Sequence, residues 1–492
     1  MSSEAEPGVA PRRLHPAGIA VLGVASLKEL ALPLMVAFVT AVLGAGGGGE
    51  PLFRVLAFGA FGALIAVVAG VVRWMTTTWA VSDAVIRYRT GVVSRKETDI
   101  PLSRVQAVDT VYGPLQRLFG VRGVYVQSAG GGREGEIRLP AVAPGDLAAL
   151  RAAVDGRGGV AAAPAPLAEW RLGGRDLLLA ALTAGQLGFI VPLLAAVPQL
   201  SQEVFGNDIR TAGEEGLRLV PDTTLEWIGA AAALLALAWI VSIAGAVLTF
   251  AGFAVARDEQ RLRLRRGLFA RREATIPVAR VQAVQLVEGV LRQPFGLVAL
   301  RVEVAGYAAE HAAARTLFPL LRRADADAFL AALLPELAGT APHVAGARLA
   351  RAPRRALRRY VLPPAAAALV LGGIAAVAIP GAGAWPLLVV VPAAAWGAEC
   401  WRAAGWRLGD GRVQLRFRRM ARITVLAPVA RLQQHGLRQT VLQRRARLAD
   451  VTARVGAGTH GHVRHLDAAV AGGIFDALRD PQAVEQRVVG AP

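Results

Sequence analysis

Cysteine and lysine are almost missing from this chain: one cysteine, Cys400, and two lysines, Lys28 and Lys96, in 492 residues. A single cysteine excludes an internal disulfide framework and a metal centre built on several thiolates. With so little lysine, the positive charge is carried by arginine. Lys and Arg together number 55 against 36 Asp and Glu, a formal net charge of +19. Arginine with abundant Ala and Gly is also what a GC-rich genome produces, so the preference for Arg over Lys carries no functional message by itself. No G-x-S-x-G, H-E-x-x-H or Walker sequence occurs, and no enzymatic activity is expected. The basic stretches lack aromatic interleaving and a helix-turn-helix pattern, which argues against nucleic acid. The run Gly46–Gly49 is followed by neither Lys-Ser nor Lys-Thr, so it reads as a short turn rather than a phosphate loop. No cleavage motif separates the charged start from the first apolar run, so no cleavable signal peptide is read there. His460, His462 and His465 are the one histidine cluster. An H-x-H pair on a strand shares a face and could hold a metal. With no matching Cys or carboxylate close by in sequence and cationic surroundings, a polar hairpin is the default, and neither metal nor cofactor is expected.

What the chain has instead is apolar length. Hydrophobic residues make up 54% of it, and the mean hydropathy is +0.43. About 20 mostly apolar residues suffice to cross a bilayer as a helix. Six segments qualify, in three pairs: roughly 18–44 and 53–73, 177–198 and 226–250, 360–380 and 384–401. Lys28-Glu29 interrupts the first. It marks either the boundary of an interfacial helix or a buried functional ion pair, since charges within a membrane are costly. The third pair contains Pro363, Pro364, Pro380, Pro386 and Pro392, which predicts kinks. Arginines flank the outer ends of each pair (Arg12, Arg13, Arg73, Arg171, Arg175, Arg257, Arg351–Arg359, Arg402). The longest connection within a pair carries Glu203, Asp208, Glu214, Glu215, Asp222 and Glu226. The positive-inside bias, with Arg54 as an exception, therefore puts both termini and the polar regions in the cytoplasm of a multi-pass plasma-membrane protein. Trp74, Trp227, Trp385 and Trp401 fall near span ends, where indoles favour the headgroup level.

The polar regions repeat one plan. Ile100-Pro101-Leu102-Ser103-Arg104-Val105-Gln106 returns as Ile276-Pro277-Val278-Ala279-Arg280-Val281-Gln282, and as Ala427-Pro428-Val429-Ala430-Arg431-Leu432-Gln433. Internal repeats of this kind define the architecture. Around each copy the pattern is β: Val85–Thr90 ended by Gly91, then strands near 92–100, 105–111 and 124–127, a Gly-rich hairpin at 130–132, a return over 136–139, and a closing amphipathic helix at 146–151. The second copy runs through Leu262–Arg265, Gly267 and strand Val298–Val304 to a helix near 324–334. The third runs through Val413–Phe417 to a helix near 466–478. Phe119-Gly120 and Phe295-Gly296 recur in the first two. The third has Ala446-Arg447 there, which puts its turn geometry in question.

A membrane hairpin, then a strand ended by Gly, then Ile-Pro-x-x-Arg-Val-Gln and Phe-Gly, resembles bacterial pleckstrin-homology-like domains. The tandem order, with Arg13-Leu14-His15-Pro16 before the first span, resembles the bacterial PH domain-containing membrane protein family over nearly the whole chain. The resemblance implies small bent antiparallel sheets, each closed by a C-terminal helix, in a non-enzymatic membrane protein. The expected organisation is an N-terminal segment and hairpin (1–74), module one (75–165), hairpin two (170–253), module two (254–340), hairpin three (350–401) and a divergent module three (402–480).

The prolines are expected to bend a strand, since proline cannot donate to a ladder. Val105, Ala107, Val281 and Ala283 should face the core. Arg104 and Arg280 are either partners of a buried acid or outward contacts for a headgroup or another module. Arg261, Arg263, Arg265, Arg266, Arg416 and Arg418 follow membrane spans closely. Attraction to an anionic inner leaflet is worth about 1 kcal/mol per Arg near the surface; a solvated positive-inside face is the plain alternative. The reading is a membrane- and protein-interaction scaffold, in envelope stress or protection, whose partners are inner-leaflet lipids and a shorter PH-like membrane protein or a second copy. Its rival is a transporter or gate for a lipid or small amphiphile using the six spans.

Overall fold

A computed structural model describes residues 11–29, 51–82, 84–91, 95–128, 136–155, 166–183, 224–305, 316–338, 349–378, 383–456 and 459–480. The Gly46–Gly49 run, the acidic 203–222 stretch and the Gly-rich hairpin at 130–132 lie outside them. Two compact units divide the chain. The first comprises Met1–Ala165, Arg171–Ala254 and Leu264–Thr275; the second comprises Pro166–Trp170, Val255–Arg263 and Ile276–Pro492.

In the first unit, β1 (Arg12–Arg13), β2 (Thr78–Val81), β3 (Val85–Thr90) and β4 (Lys96–Pro101) form an antiparallel sheet in that order, with β4 at an edge. β5 (Val105–Tyr112), β6 (Arg122–Ser128) and β7 (Glu136–Val142) form an antiparallel meander. The helix Pro144–Asp155 closes the module by burying Leu147 and Leu150 against Ile86, Val124, Val126, Ile137 and Leu139. The apolar positions that alternate along the strands thus fill one core. β8 (Ala168–Arg171), β9 (Ala254–Arg257), β10 (Arg261–Arg266) and β11 (Arg271–Pro277) follow in the chain, divided between the two units. β11 neighbours β10 of its own module and also pairs outside it. It pairs with β5, placing Arg271 opposite Tyr112, Arg272 opposite Val111 and Glu273 opposite Thr110.

The second unit contains β12 (Val281–Glu288), β13 (Leu297–Val304), β14 (Thr316–Arg322), β15 (Ala350–Arg351), β16 (Gly405–Gly409), β17 (Arg412–Arg418) and β18 (Arg422–Pro428). They form a seven-stranded antiparallel sheet in the order β14-β13-β12-β18-β17-β16-β15. Here too the strand before one proline motif joins the strand after the preceding one: Arg422 faces Glu288, Thr424 faces Leu286 and Leu426 faces Val284. β19 (Gln434–Arg438), β20 (Leu448–Val455) and β21 (Thr459–Asp467) form a three-stranded sheet with β19 at its edge. The helices Ala326–Leu333 and Ala468–Arg479 follow the strands of modules two and three. Phe329, Leu330, Ile474 and Leu478 of these helices are buried. Sheet-rich regions of one plan therefore occur three times.

The repeated motif is the corner between sheets. Pro101, Pro277 and Pro428 (φ −57°, −63° and −63°) end a strand, and the next three residues form a 3₁₀ turn finishing on Arg104, Arg280 or Arg431. The residue after each proline donates to a carbonyl at one fixed spacing: Leu102 to Ala84 (2.8 Å), Val278 to Gln260 (2.9 Å) and Val429 to Gly411 (2.9 Å). Proline suits the strand end because its φ is fixed and it has no donor for a ladder. Val281 and Ala283 are fully buried, and Val105 packs at the margin of its core; the Ala107 side chain is not among the described positions.

The third module keeps the turn that its sequence put in question. Arg447 sits at φ 52°, beside φ 64° for Gly120 and φ 60° for Gly296. Its carbonyl accepts from the Ala468 amide at 2.9 Å and from Arg355 at 3.2 Å. The tertiary bonds hold a left-handed residue without glycine.

Six spans are not supported among the described residues. Among the described residues, two helical segments are long and apolar enough to cross a membrane, Gly59–Thr76 and Arg354–Ala378; Gly18–Leu27 and Ala238–Phe250 are shorter apolar stretches, the second lying within the 27-residue helix Thr224–Phe250. Much of the first and third expected spans lies outside the described residues. The sixth is a 3₁₀ segment, Trp385–Val389, followed by the helix Val390–Ala403, only 14 residues long. Lys28 and Glu29 fall in the helix Gly18–Glu29, but their side chains are not among the described positions. Pro363 and Pro364 lie within one helix, Leu357–Ala378. They leave the carbonyls of Arg359 and Tyr360 without helical donors. Gly397 of the returning helix packs there, so closely that a Cβ would sit 2.5 Å from the Tyr360 oxygen.

Candidate anion-binding site

The arginines singled out in the sequence part company in the structure. β10 alternates exposed arginine and buried leucine, as its pattern predicts. Its charges have partners: Arg263 Nε lies 2.7 Å from Asp258, and Arg265 Nε lies 3.6 Å from Glu273. Arg261 is exposed, whereas Arg266 is buried, and burial pushes its pKa down to about 10. Arg104 is exposed at its corner; Arg280 is half-buried, with Nη1 enclosed and unbonded. The third copy of that arginine, Arg431, donates to the Val281 carbonyl. Arg416 donates to the Ala403 carbonyl at 2.9 Å, and burial lowers its pKa to about 10. These are mainly structural placements.

Arg418 is different. It ends β17, and its side chain is 5% exposed. Its Nη2 donates to Gln293 Oε1, its guanidinium lies 5.4 Å from the Trp396 ring centre, and Glu399 stands 3.7 Å away. Its Nε is buried without a hydrogen-bond partner. Burying an unmet donor of this kind costs about 1–3 kcal/mol, so it marks a place where an acceptor would be welcome. Arg418 lines a cavity of about 300 Å³ between the third hairpin and module three. Arg359 and Tyr360 enter from the helix Leu357–Ala378, Trp396 from Val390–Ala403, Arg419 from the residue after β17, and His462, Arg464 and His465 from β21.

The walls are held by their own bonds. Tyr360 donates to the Arg464 carbonyl at 2.8 Å, and its ring meets His465 edge-on at 5.2 Å. Phe417 packs on His462 with ring centres 4.2 Å apart. Arg359 Nη2 donates to the Leu442 carbonyl at 2.8 Å. His465 Nδ1 is 2.9 Å from Gln443 Nε2. Burial holds the His465 pKa below its ordinary value; Asp450 opposes the shift, while Arg464 and Arg359 reinforce it. The cavity is thus ringed by four guanidinium groups, with carboxylates beside its lining at Glu399, which also pairs with Arg402 at 2.6 Å, and at Asp450, 3.7 Å from His465 Nδ1. Guanidinium forks match phosphate oxygens, and Trp and Tyr near the ends of apolar helices suit the headgroup level. Of the arginines read from sequence as lipid or partner contacts, Arg418 lines this cavity, and Arg419 of the same basic run lines it too. Arg359 and Arg464 were missed, although the Arg351–Arg359 run and the His-rich strand were visible. Among the described residues, no three His, Cys, Asp or Glu side chains come together as metal ligands. The His460 side chain is not among the described positions.

Comparison with known proteins agrees with this repeat. The family described as Bacterial PH domain matches three times, at residues 20–157, 212–337 and 359–482. The chain is also similar to the UPF0699 transmembrane protein YdbT of Bacillus subtilis (strain 168). The two are 25% identical over 480 residues, covering 92% of this chain and 94% of that one. No solved structure matches. With a membrane protein as its full-length relative and three matches covering most of its length, the chain belongs to the bacterial PH domain family.

Proposed function

We propose that this is a non-enzymatic plasma-membrane scaffold, anchored by its apolar helices with termini and PH-like modules on the cytoplasmic side. Its third module binds the phosphate of anionic inner-leaflet lipids. The observation that supports this reading is the cavity of Arg359, Arg418, Arg419 and Arg464 beside Trp396, at the foot of an apolar helix of spanning length. The buried, unmet Arg418 Nε supplies a donor, and the exposed Arg464 supplies long-range attraction. Arginine placed where helices leave the bilayer attracts anionic lipid, and salt screens the effect. An interaction role in envelope stress or protection accords with a protein that holds folded modules against the membrane.

The test uses the full chain reconstituted in nanodiscs of phosphatidylcholine with or without phosphatidylglycerol, and short-chain phosphatidylglycerol and inorganic phosphate as soluble probes. Quenching of tryptophan emission should report binding of the anionic lipid and be weakened at least about fivefold by Arg464→Gln with Arg359→Gln, two charges at about 1 kcal/mol each before screening. Inorganic phosphate competing equally well would assign the cavity to a free anion. Equal binding of neutral and anionic lipid, or binding indifferent to both substitutions, would overturn the reading.

A further inference from the structure

The two strand junctions follow one rule, and among the described residues it leaves two edges unfilled. Counting from each motif proline, the residue six before it in one module faces the residue eleven after it in the preceding module. Arg271 faces Tyr112, and Arg422 faces Glu288. The register is the same although the residues differ. In the second unit the result is a seven-stranded sheet, made of the three strands that follow one motif and the four that precede the next. The same parts remain unjoined elsewhere: β1–β4, a four-stranded sheet ending at β4, and β19–β21, a three-stranded sheet ending at β19. Each is the half that the other lacks.

We propose that β19 of one chain pairs antiparallel with β4 of a second copy, completing a further seven-stranded sheet and joining chains head to tail. Carrying the observed register across puts Arg95 opposite Gln439, Glu97 opposite Leu437, and Asp99 opposite His435. Arg95 stands where Arg271 and Arg422 stand in the filled junctions. Leu437 is 42% exposed, and Lys96, Glu97 and Asp99 are exposed. Charged residues on an edge strand ordinarily guard it against pairing. Here they do not exclude it, because β11 carries Arg271, Arg272 and Glu273 at the equivalent places and is paired. One opposition is unfavourable: Lys96 meets Arg438. Like charges directly across a ladder weaken it, which makes this contact adjustable and suits it to reversible association. Such a heterologous contact closes into a ring or continues as a filament. The proposal rests on strand register alone and is independent of lipid binding at the cavity.

Full-length protein in liposomes, carrying Cys400→Ala, Glu97→Cys and Leu437→Cys, is treated with a short bis-maleimide and resolved by mass. A ladder of linked chains is expected. Mixing the two single-cysteine variants should give dimers and nothing larger, and neither single variant alone should link. Lys96→Glu should raise the yield by about threefold or more, by turning a like-charge pair into an opposite one, and adding Arg438→Glu should reverse the gain. A link formed within one chain would overturn the proposal, as would linking by one single variant alone. So would an unlinked protein whose melting matches the parent, or a yield indifferent to both charge changes.

Discussion

Glu288→Gln is the sharpest probe of how two modules are joined. The Glu288 carboxylate, 6% exposed, receives Arg323 Nη1 at 2.7 Å and the Nε of Arg422, which lies directly across the ladder. Gln293 also donates to its backbone carbonyl at 2.9 Å. The substitution keeps shape and one acceptor oxygen but removes the charge that both arginines share. Breaking a fully buried pair costs about 3–5 kcal/mol. Here the arginine side chains are 34% and 25% exposed, so each recovers part of its hydration when released. The expected cost is therefore about 2–3 kcal/mol, a factor of about 30–150 in the opening equilibrium. Because a chain with several modules need not unfold in one step, the assay should be local: amide hydrogen exchange on β12 and β18, with β20 as reference. Protection there should fall by that factor in Glu288→Gln while β20 is unchanged. Exchange that stays at the parent level, or drops uniformly across the chain, would refute a junction held by this carboxylate. A cycle with Arg422→Gln should show non-additivity, since the second change then removes an interaction already lost.

Two further changes test separate points. Arg447→Gly should stabilise module three by about 1 kcal/mol, because glycine takes φ 52° without the penalty of a Cβ; a lower midpoint in denaturant would show that the arginine side chain matters more than the backbone. Glu336, bonded bidentately to the buried Arg257 at 2.6 and 3.1 Å, has its pKa held below the ordinary 4.5 chiefly by those bonds. A depressed carboxyl contributes stability that is complete above its unfolded value and is lost as pH falls through the lower folded one. The parent should thus exceed Glu336→Gln in stability at neutral pH, by no more than about 1 kcal/mol since Glu336 is 43% exposed. The gap should close below pH 4.5; one that persists in acid would show that charge is not its source.

Much of the module was legible because its signals are local. The proline corner, the alternation in Arg261–Arg266, the strand Val85–Thr90 and the helices after Asp146 and near Ala324 follow from short-range periodicity and turn chemistry. The pairing of β11 with β5 and of β18 with β12 was not legible, since strand partners far apart in sequence leave no mark on either strand's own pattern. The arginines misled for a related reason. Exposure on an alternating strand was readable for Arg263, but its carboxylate partner Asp258 was not, because placing it requires the turn between β9 and β10. The cavity draws Arg359, Arg418 and Arg464 from three elements, and only the fold brings them together. Apolar composition marked the stretch 384–401 but not that it opens as a 3₁₀ segment before the helix Val390–Ala403.

The proline motif has the consequence that binds these findings. Because it ends one strand and turns the chain before the next begins, the strands on its two sides cannot lie as neighbours in one hairpin. Each must find its edge partner elsewhere, and β11 and β18 find it on the strands that follow the preceding motif. The motif arginine serves this corner more than any ligand. The Arg280 carbonyl accepts from Ala305 at 3.0 Å, and Arg431 reaches back to the Val281 carbonyl across the junction. A module built this way is incomplete alone, since it offers one edge before its motif and one after. Tandem repetition fills the inner edges and leaves the outermost pair, β4 and β19, as the natural place for any further module to attach.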